Sequence, residues 1–157
     1  MPAAWRIVSE ARAATPFDGA GARRHGGRWN SPGHPVVYTA GSRALAALEV
    51  LVHLPRPAPP MRFRLFSVKI PDALVETVTD PGVLQAAASA SVQKTTQRFG
   101  DDWLRSRRSA VLRVPSAVIP EEPNYLLNPA HPAFSRLAPG AGLPFAFDPR
   151  LSAGPAA

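Results

Sequence analysis

Arg28 lies in residues 25–30, which read HGGRWN, directly after a pair of glycines. Two consecutive glycines let a backbone bend tightly and let a ligand approach closely, so they commonly precede a side chain that must be aimed. A guanidinium offers a planar fork of donors that matches phosphate or carboxylate groups. The stretch therefore has two interpretations: a guanidinium that binds a ligand, or an ordinary turn that leads into a strand.

Glu49 lies in a predicted helix over residues 42–54, SRALAALEVLVHL, which is apolar almost throughout and is therefore expected to be buried. A carboxylate in such a helix must face water, pair with a cation or line a cavity, because an unpartnered buried charge is strongly disfavoured. At 3.6 residues per turn, Glu49 shares a stripe with Ser42, Ala46, Val52 and His53. The residues that suit the core lie away from this stripe: Ala44, Ala47, Leu48 and Leu51.

Two hydroxyl groups lie where predicted strands end. Tyr38 stands in VVYTA, where its neighbours are apolar or small, and it has two interpretations: a core residue with a satisfied hydroxyl, or a ring at a site. Ser116 follows Pro115 at a strand bend, where a hydroxyl commonly bonds the backbone. Neither GxSxG nor SxxK surrounds Ser116, so the sequence does not indicate a nucleophilic serine enzyme.

The elements that must position these residues are short. Strands are predicted over residues 3–8, 35–40, 62–71 with a bulge, 110–120 as one strand or as two short strands bent at Pro115, 124–129 and 145–151. Helices are predicted over 42–54, capped by Ser42 and ended by the Pro-rich 55–60, and over 95–109. Residues 11–27 are expected to be irregular, Pro81-Gly82 a turn, 131–137 a short turn or helix, and 152–157 a flexible C-terminal tail. The pattern predicts one compact α+β domain of short mixed strands with few helices.

Composition excludes several classes of protein. A chain of 157 residues is expected to form one domain that buries most of its surface. It contains no cysteine, and its four histidines are scattered, so we expect neither disulfides nor a metal site. No apolar run approaches the roughly 18 residues of a membrane span, and the first ten residues do not resemble a signal peptide. These features predict a cytoplasmic protein without a membrane partner.

The net charge is +7, and all the cationic residues except Lys69 and Lys94 are arginines. Such a balance favours an acidic partner or substrate, and a nucleic acid, a nucleotide and an acidic protein all fit. The excess has a second explanation, because a chain this rich in Ala, Pro and Gly also reflects the base composition of its genome.

Five stretches together resemble the RES domain family across nearly the whole chain. They are GGRWN, VVYTAGSRALAALEVLVH, GDDWL, LRVPSAVIPEEPNYLLNPAHPAF and FAFDPRL, in the family's order. The family takes its name from an arginine, a glutamate and a serine, which match Arg28, Glu49 and Ser116 here. The resemblance predicts a RES domain over residues 1–151.

The resemblance implies the toxin of a bacterial type II toxin-antitoxin pair, with a fold related to ADP-ribosyltransferases. Members of this family consume NAD by cleaving the bond between nicotinamide and ribose, with water or phosphate as the acceptor, and some transfer ADP-ribose to a protein. The implied partner is an Xre-like antitoxin, through which alone the toxin would meet nucleic acid.

The chemistry of the residues agrees with that implication. Cleavage passes through a cation-like ribose, which needs a nearby carboxylate, and Glu49 can supply it. Arg28 can hold the pyrophosphate, Tyr38 can stack on nicotinamide, and Ser116 can hydrogen-bond a ribose or phosphate group. Residues 19–27 do not follow a strand and open a helix as a dinucleotide-binding fingerprint does, so NAD is expected as a substrate and no cofactor is expected.

Two other classes of function remain open from the sequence. A toxin directed at RNA would use the arginine cluster Arg105, Arg107, Arg108 and Arg113 for phosphate contacts, but the cluster lacks an adjacent acid-base pair. A non-enzymatic binding module would use a basic face to bind an acidic partner.

Overall fold

The computed structural model describes residues 2–154, which form one curled sheet flanked by short helices. The strands are β1 (Ala3–Ser9), β2 (Val37–Ala40), β3 (Phe63–Lys69), β4 (Val75–Thr77), β5 (Val111–Pro115), β6 (Pro123–Leu127), β7 (Ala138–Pro139) and β8 (Leu143–Phe145). The helices are α1 (Ala20–His25), α2 (Arg43–Leu51), α3 (Pro81–Ala87), α4 (Lys94–Ser106) and α5 (Pro149–Ser152). The prediction of a compact α+β domain is confirmed.

The strand order is β4-β5-β6-β2-β1-β3-β7, and β8 also pairs with β3. Only the β4–β5 pair is parallel among the strands described. The register brings distant segments together, because Ala40 of β2 lies opposite both Trp5 of β1 and Asn124 of β6. The centre of the sheet thus joins residues from both ends of the chain.

Both faces of the sheet are covered. Val111 and Leu112 are neighbours in β5, so their side chains point to opposite faces, and both are fully buried. On one face α3 and α4 pack through Ala87, Trp103 and Leu104. Helix α2 packs Leu45 and Ala46 against a third cluster that includes Ile7 and Phe63.

Helix α2 begins as predicted, because the Ser42 side chain accepts a hydrogen bond from the Leu45 amide at 3.0 Å. The expected burial is partly wrong: Leu51 is buried and Ala47 is half-buried as expected, but Ala44 and Leu48 are exposed. The buried residues are Leu45, Ala46 and Leu51. Ala46 and Glu49 belong to one stripe, and this part of the stripe faces inward, towards the sheet, while Val52 and His53 at its end are exposed.

Several boundaries differ from the expectations. Strand β3 has no bulge, because it pairs with β1 in unbroken register from Ala3–Lys69 to Ser9–Phe63. Its apolar pattern changes phase because Leu65 and Phe66 are buried on opposite faces. Within residues 110–120 a single strand, β5, ends at Pro115. Residues 145–151 do not form a strand, because Phe145 is the last residue of β8 and helix α5 begins at Pro149.

Two segments expected to be irregular contain helices. Residues 11–27 include α1, and Pro81-Gly82 is the start of α3 rather than a turn. Asp80 is the cap of α3, because its carboxylate accepts hydrogen bonds from the amides of Gly82 and Val83. Proline at the first position of a helix loses no hydrogen bond, which explains why Pro81 is tolerated there.

The predicted tail begins inside α5, where the Ser152 carbonyl accepts a hydrogen bond from the Ala58 amide at 2.9 Å. Residues 155–157 of that tail lie outside the described part of the chain. Between residues 2 and 154, no helix combines the length and apolarity needed to cross a membrane.

Gly100 lets α4 contact the backbone of the HGGRWN stretch. A Cβ at this position would overlap the Trp29 carbonyl oxygen and lie 2.7 Å from the carbonyl carbon. We expect Gly100→Ala to lower the free energy of unfolding by about 2 kcal/mol or more, because a backbone contact cannot yield as a side chain does. Thermal unfolding should show a Tm lower by about 4 °C or more.

Gly21→Ala is the matched control for that prediction. Gly21 is also helical, but a Cβ there would meet only the end of the Arg12 side chain, which can move aside. A Gly100→Ala protein that is as stable as the Gly21→Ala protein would show that the α4 contact is not close in solution.

Candidate active site

A cavity of about 670 Å³ opens between the centre of the sheet, helix α2 and the HGGRWN stretch. Arg28, Tyr38 and Glu49 all line it. Ser116 is only 2% exposed and does not line the cavity, but its hydroxyl contacts Glu49. Residues that lie far apart in the sequence therefore meet at one site, as the candidate residues were expected to do.

Glu49 lines the cavity as an ionisable group held by neutral donors. Its Oε1 atom accepts a hydrogen bond from Ser116 Oγ at 2.7 Å and another from Asn124 Nδ2 at 2.9 Å. Of the three environments expected for this carboxylate, the cavity wall is the one observed. Its partners are a hydroxyl and an amide rather than a cation, so the negative charge stays available to a ligand.

The Ser116 hydroxyl has two uses. It accepts hydrogen bonds from the amides of Val118 and Ile119, at 3.0 and 3.1 Å, and so closes the turn after β5. It also donates to Glu49. The turn bond expected for this serine is present, and the same atom supports the carboxylate at the cavity.

The Tyr38 hydroxyl is fully engaged within the protein. It donates to Asn30 Oδ1 at 2.6 Å and accepts from the Trp29 amide at 3.0 Å. Burial raises the pKa of Tyr38 well above its usual range, so this hydroxyl stays protonated at any physiological pH. The part of Tyr38 that remains free to meet a ligand in the cavity is its ring.

The HGGRWN stretch forms a closed loop on α4. Gly27 and Asn30 bridge each other, and a Cβ on Gly27 would lie 2.7 Å from the Tyr38 hydroxyl oxygen. From α4, Thr96 donates to the Arg28 carbonyl and Gln97 donates to the Gly27 carbonyl, at 2.6 and 3.1 Å. The glycine at position 27 is needed because Tyr38 packs directly against the loop.

The Arg28 guanidinium reaches across to the loop between α3 and α4. Its Nη1 donates to the Ser89 carbonyl at 2.7 Å, with longer contacts to the carbonyls of Ala87 and Ser91, and its Nη2 donates to the Ala90 carbonyl at 3.3 Å. Ala90 also lines the cavity. Arg28 therefore fixes one wall of the cavity, which neither interpretation of the sequence included.

Arg6 is a second guanidinium at the cavity, and the sequence reasoning missed it. It donates to the Pro16 carbonyl at 2.7 Å and to the Tyr38 carbonyl at 2.9 Å. Burial lowers the pKa of Arg6 from its usual range to about 10, so the group is still cationic at neutral pH. The sequence did contain a signal for Arg6, because it is an arginine inside the apolar strand sequence AAWRIV. A cation buried in such a strand needs a partner.

Two more cavity residues were not expected. Trp5 of β1 lines the cavity, and the Arg43 guanidinium carbon lies 4.2 Å from the centre of its ring. Asn124 of β6 lines the cavity next to Glu49. The site thus combines a carboxylate, two cations and aromatic rings around a space within the range of about 300–1,000 Å³ common for small-molecule sites.

The fold and the site define a single α+β domain with a small-molecule cavity at the centre of its sheet. Over 96% of its length the chain resembles a chain in the crystal structure of the M. tuberculosis MbcT-MbcA toxin-antitoxin complex, with a TM-score of 0.71, 21% identity and 86% of that chain covered. At that identity the likeness shows the fold.

Residues 3–148 match the RES domain, and the chain belongs to the RES domain family. It is 40% identical over 152 residues to the Prs ADP-ribosylating toxin of Sphingobium sp., covering 94% of each chain. It is 40% identical over 148 residues to Toxin Res of Yersinia enterocolitica, covering 94% of this chain and 97% of that toxin. The relatives that it resembles over nearly its whole length are thus toxins.

Proposed function

We propose that this protein is the toxin of a toxin-antitoxin pair and that it consumes NAD by breaking the bond between nicotinamide and ribose. The observation that carries the proposal is the Glu49 carboxylate, which two donors hold at the wall of a cavity that also presents Arg6 and Arg28. NAD needs this combination, since its reacting ribose becomes positive while its pyrophosphate stays negative. NAD is the substrate here, and no separate cofactor is required.

Glu49 is the residue proposed to act on the reacting ribose. As the bond to nicotinamide breaks, the positive charge moves from the nicotinamide ring to the ribose, and a carboxylate fixed beside the ribose stabilises the charge there more than it stabilises the ground state, in which the ribose is neutral. The leaving nicotinamide takes the bonding electron pair and becomes neutral. Water, or phosphate in a phosphorolysis, then forms the new bond to the ribose carbon, and the proton that water loses passes to solvent.

Arg6 is proposed to bind the pyrophosphate directly, and Arg28 is proposed to support that binding indirectly. Arg6 lines the cavity and its Nη2 makes no hydrogen bond within residues 2–154, so it can donate to a phosphate oxygen. Arg28 acts on binding mainly through the wall at Ala90, since its guanidinium already donates to backbone carbonyls. The rings of Tyr38 and Trp5 offer stacking surfaces for nicotinamide or adenine. Ser116 acts through Glu49.

Transfer of ADP-ribose to a cellular protein is the second candidate. It is favoured by the name of the Sphingobium relative, an ADP-ribosylating toxin that is 40% identical to this chain. Both reactions share the first step and differ in the acceptor that enters the cavity. A radiolabelled adenosine moiety separates them, because it appears in free ADP-ribose or its phosphate in one case and on protein in the other.

The partner is proposed to be an antitoxin, in keeping with the toxin-antitoxin complex that shares this fold. An Xre-like antitoxin remains an expectation from the sequence, and it would bring the toxin to DNA only indirectly.

The cluster Arg105, Arg107, Arg108 and Arg113 lies outside the cavity lining, and Arg108 pairs with Glu76 at 3.0 Å. That placement disfavours an RNA-directed reaction at the proposed site.

The decisive experiment incubates the purified protein with NAD and, separately, with RNA. We expect NAD to disappear with stoichiometric release of nicotinamide while RNA stays intact. Loss of RNA with NAD untouched would overturn the proposal in favour of a ribonuclease. Loss of neither would favour ADP-ribosyl transfer to an absent protein target or a non-enzymatic binding module, and adding cell lysate with labelled NAD separates these two.

Arg28→Lys is expected to weaken NAD binding by about tenfold or more, because an ammonium cannot contact the spread carbonyls of the 88–91 loop as a guanidinium fork does. Arg24→Lys is the matched control, since Arg24 is an exposed arginine of the neighbouring helix α1. Titration calorimetry with NAD measures both. If the Arg28→Lys protein binds NAD as tightly as the parent, the HGGRWN stretch is a turn that has no role in NAD binding.

A further inference from the structure

Asn124 has an unusual pair of environments for its two amide atoms. Its Nδ2 donates to Glu49 Oε1 at 2.9 Å. Its Oδ1 is buried without any hydrogen-bond partner, and it is the only such side-chain atom within residues 2–154. Leaving a buried acceptor unpaired is unfavourable, so a contact elsewhere on the side chain must compensate for it.

The orientation of this amide follows from its neighbours. A flipped Asn124 would turn its oxygen towards Glu49 Oε1, and two acceptors would then face each other across less than 3 Å. The observed orientation places a donor against a carboxylate instead, which is among the stronger hydrogen bonds in proteins. The unpaired Oδ1 is thus the consequence of directing Nδ2 to Glu49.

Ser116 directs its proton to the same carboxylate oxygen. Its hydroxyl oxygen accepts from the amides of Val118 and Ile119, so its own hydrogen is left for Glu49 Oε1 at 2.7 Å. Both donors converge on Oε1, and neither contacts Oε2. The two oxygens of the Glu49 carboxylate are therefore chemically distinct before any ligand binds.

We propose that Asn124 is a positioning residue that, together with Ser116, holds Glu49 Oε1 and leaves Oε2 as the atom that meets the reacting ribose. This inference rests on the proposed cleavage of NAD. Glu49 has three side-chain torsions, and one hydrogen bond to Oε1 still lets the carboxylate turn about that contact. The second donor removes this rotation and fixes the direction in which Oε2 points.

The register of the sheet explains how Asn124 keeps this position. Asn124 lies in β6 between two strands, opposite Ala40 of β2 and Val114 of β5, so its backbone cannot shift without disturbing both ladders. Ala40 and Asn124 both line the cavity. A donor on a central strand holds a catalytic group more precisely than one on a loop.

The test compares Asn124→Ala and Asn124→Asp with the parent protein in NAD turnover. Aspartate nearly matches asparagine in shape but replaces the donor with an acceptor. We expect kcat to fall by about 10- to 100-fold in both variants, with KM changed less than about twofold, because only the aim of Oε2 is lost. Asn124→Asp should lose at least as much as Asn124→Ala.

Asn128→Asp is the matched control. Asn128 is buried just after β6, and its amide donates to the Leu104 carbonyl rather than to Glu49. The Asn128→Asp substitution should lower the free energy of unfolding, while the folded variant keeps the parental kcat. Parental kcat in Asn124→Asp, or a loss confined to KM, would overturn the positioning role.

Crystal structures of the parent and of Asn124→Asp give a readout that does not depend on activity. We expect the Glu49 carboxylate to leave its parental orientation in the variant, and an unchanged carboxylate would overturn the inference. If the parent protein fails to consume NAD, the proposed function fails, while the crystallographic comparison still decides whether Asn124 orients Glu49. If the parent is active and Asn124→Asp is equally active, the function stands and the inference fails.

Discussion

Glu49→Gln is expected to keep the fold and the affinity for NAD while losing about two or more orders of magnitude in turnover. A glutamine can place its carbonyl oxygen where Oε1 lies and keep the hydrogen bonds from Ser116 and Asn124. The change then falls on Oε2, which becomes an amide nitrogen. An amide cannot stabilise a cation-like ribose, but the pyrophosphate contacts that hold the substrate are unaffected.

Single-turnover kinetics and equilibrium binding of NAD measure the two quantities separately. Glu121→Gln is the control, since Glu121 is an exposed carboxylate outside the cavity lining. Near-parental turnover in a folded Glu49→Gln protein would remove Glu49 from the catalytic role. A loss of NAD affinity equal to the loss of turnover would instead assign the carboxylate to ground-state binding.

Local signals predicted the elements that carry Tyr38 and Glu49. The β-branched and aromatic residues of 35–40 predicted β2, and Ser42 before an apolar run predicted the start of α2. The same kind of signal was misread at Pro81-Gly82, which suits a turn as well as a helix start. The deciding residue was Asp80, whose carboxylate caps two amides of α3.

The composition of the site was harder to predict because it depends on strand register. Asn124 lies 75 residues from Glu49 in the sequence, and Arg28 lies 59 to 63 residues from the carbonyls that it contacts. Nothing within a local window specifies which strands become neighbours. The residue types alone singled out Glu49 and Arg28. Their hydrogen-bond partners depend on the pairing of β6 with β2, which places Asn124 near Glu49, and on the packing of α3, which places backbone carbonyls near Arg28.

Helix α2 shows that hydrophobic periodicity alone did not predict which face of the helix lies against the sheet. Periodicity correctly grouped Glu49 with Ala46, but it assigned the core to the stripe of Ala44 and Leu48, which is exposed. A cavity between helix and sheet makes a polar residue face inward without being desolvated like a core residue. Sequence periodicity separates polar from apolar stripes, and it cannot tell bulk water from the water of a cavity.

The mouth of the cavity has the properties of a surface that a partner covers. Val52 and Val92 both line the cavity, and they are 59% and 51% exposed. Exposed apolar side chains beside a cationic site favour a partner that offers apolar contacts together with a negative group. The net charge of +7 attracts such a partner over a longer range.

The proposed antitoxin is therefore expected to inhibit competitively with NAD and to weaken NAD binding by about 100-fold or more when it is bound. An enzyme that empties a cell of NAD must be blocked, and a carboxylate or chain end that reaches Arg6 would occupy the proposed position of the pyrophosphate. NAD titration of the co-expressed, purified complex, with the free toxin alongside, measures the change in affinity. The rival possibility is a partner that binds a remote face and acts by sequestration or a change of shape. A complex that binds NAD as tightly as the free protein would exclude occlusion of the cavity and favour that rival.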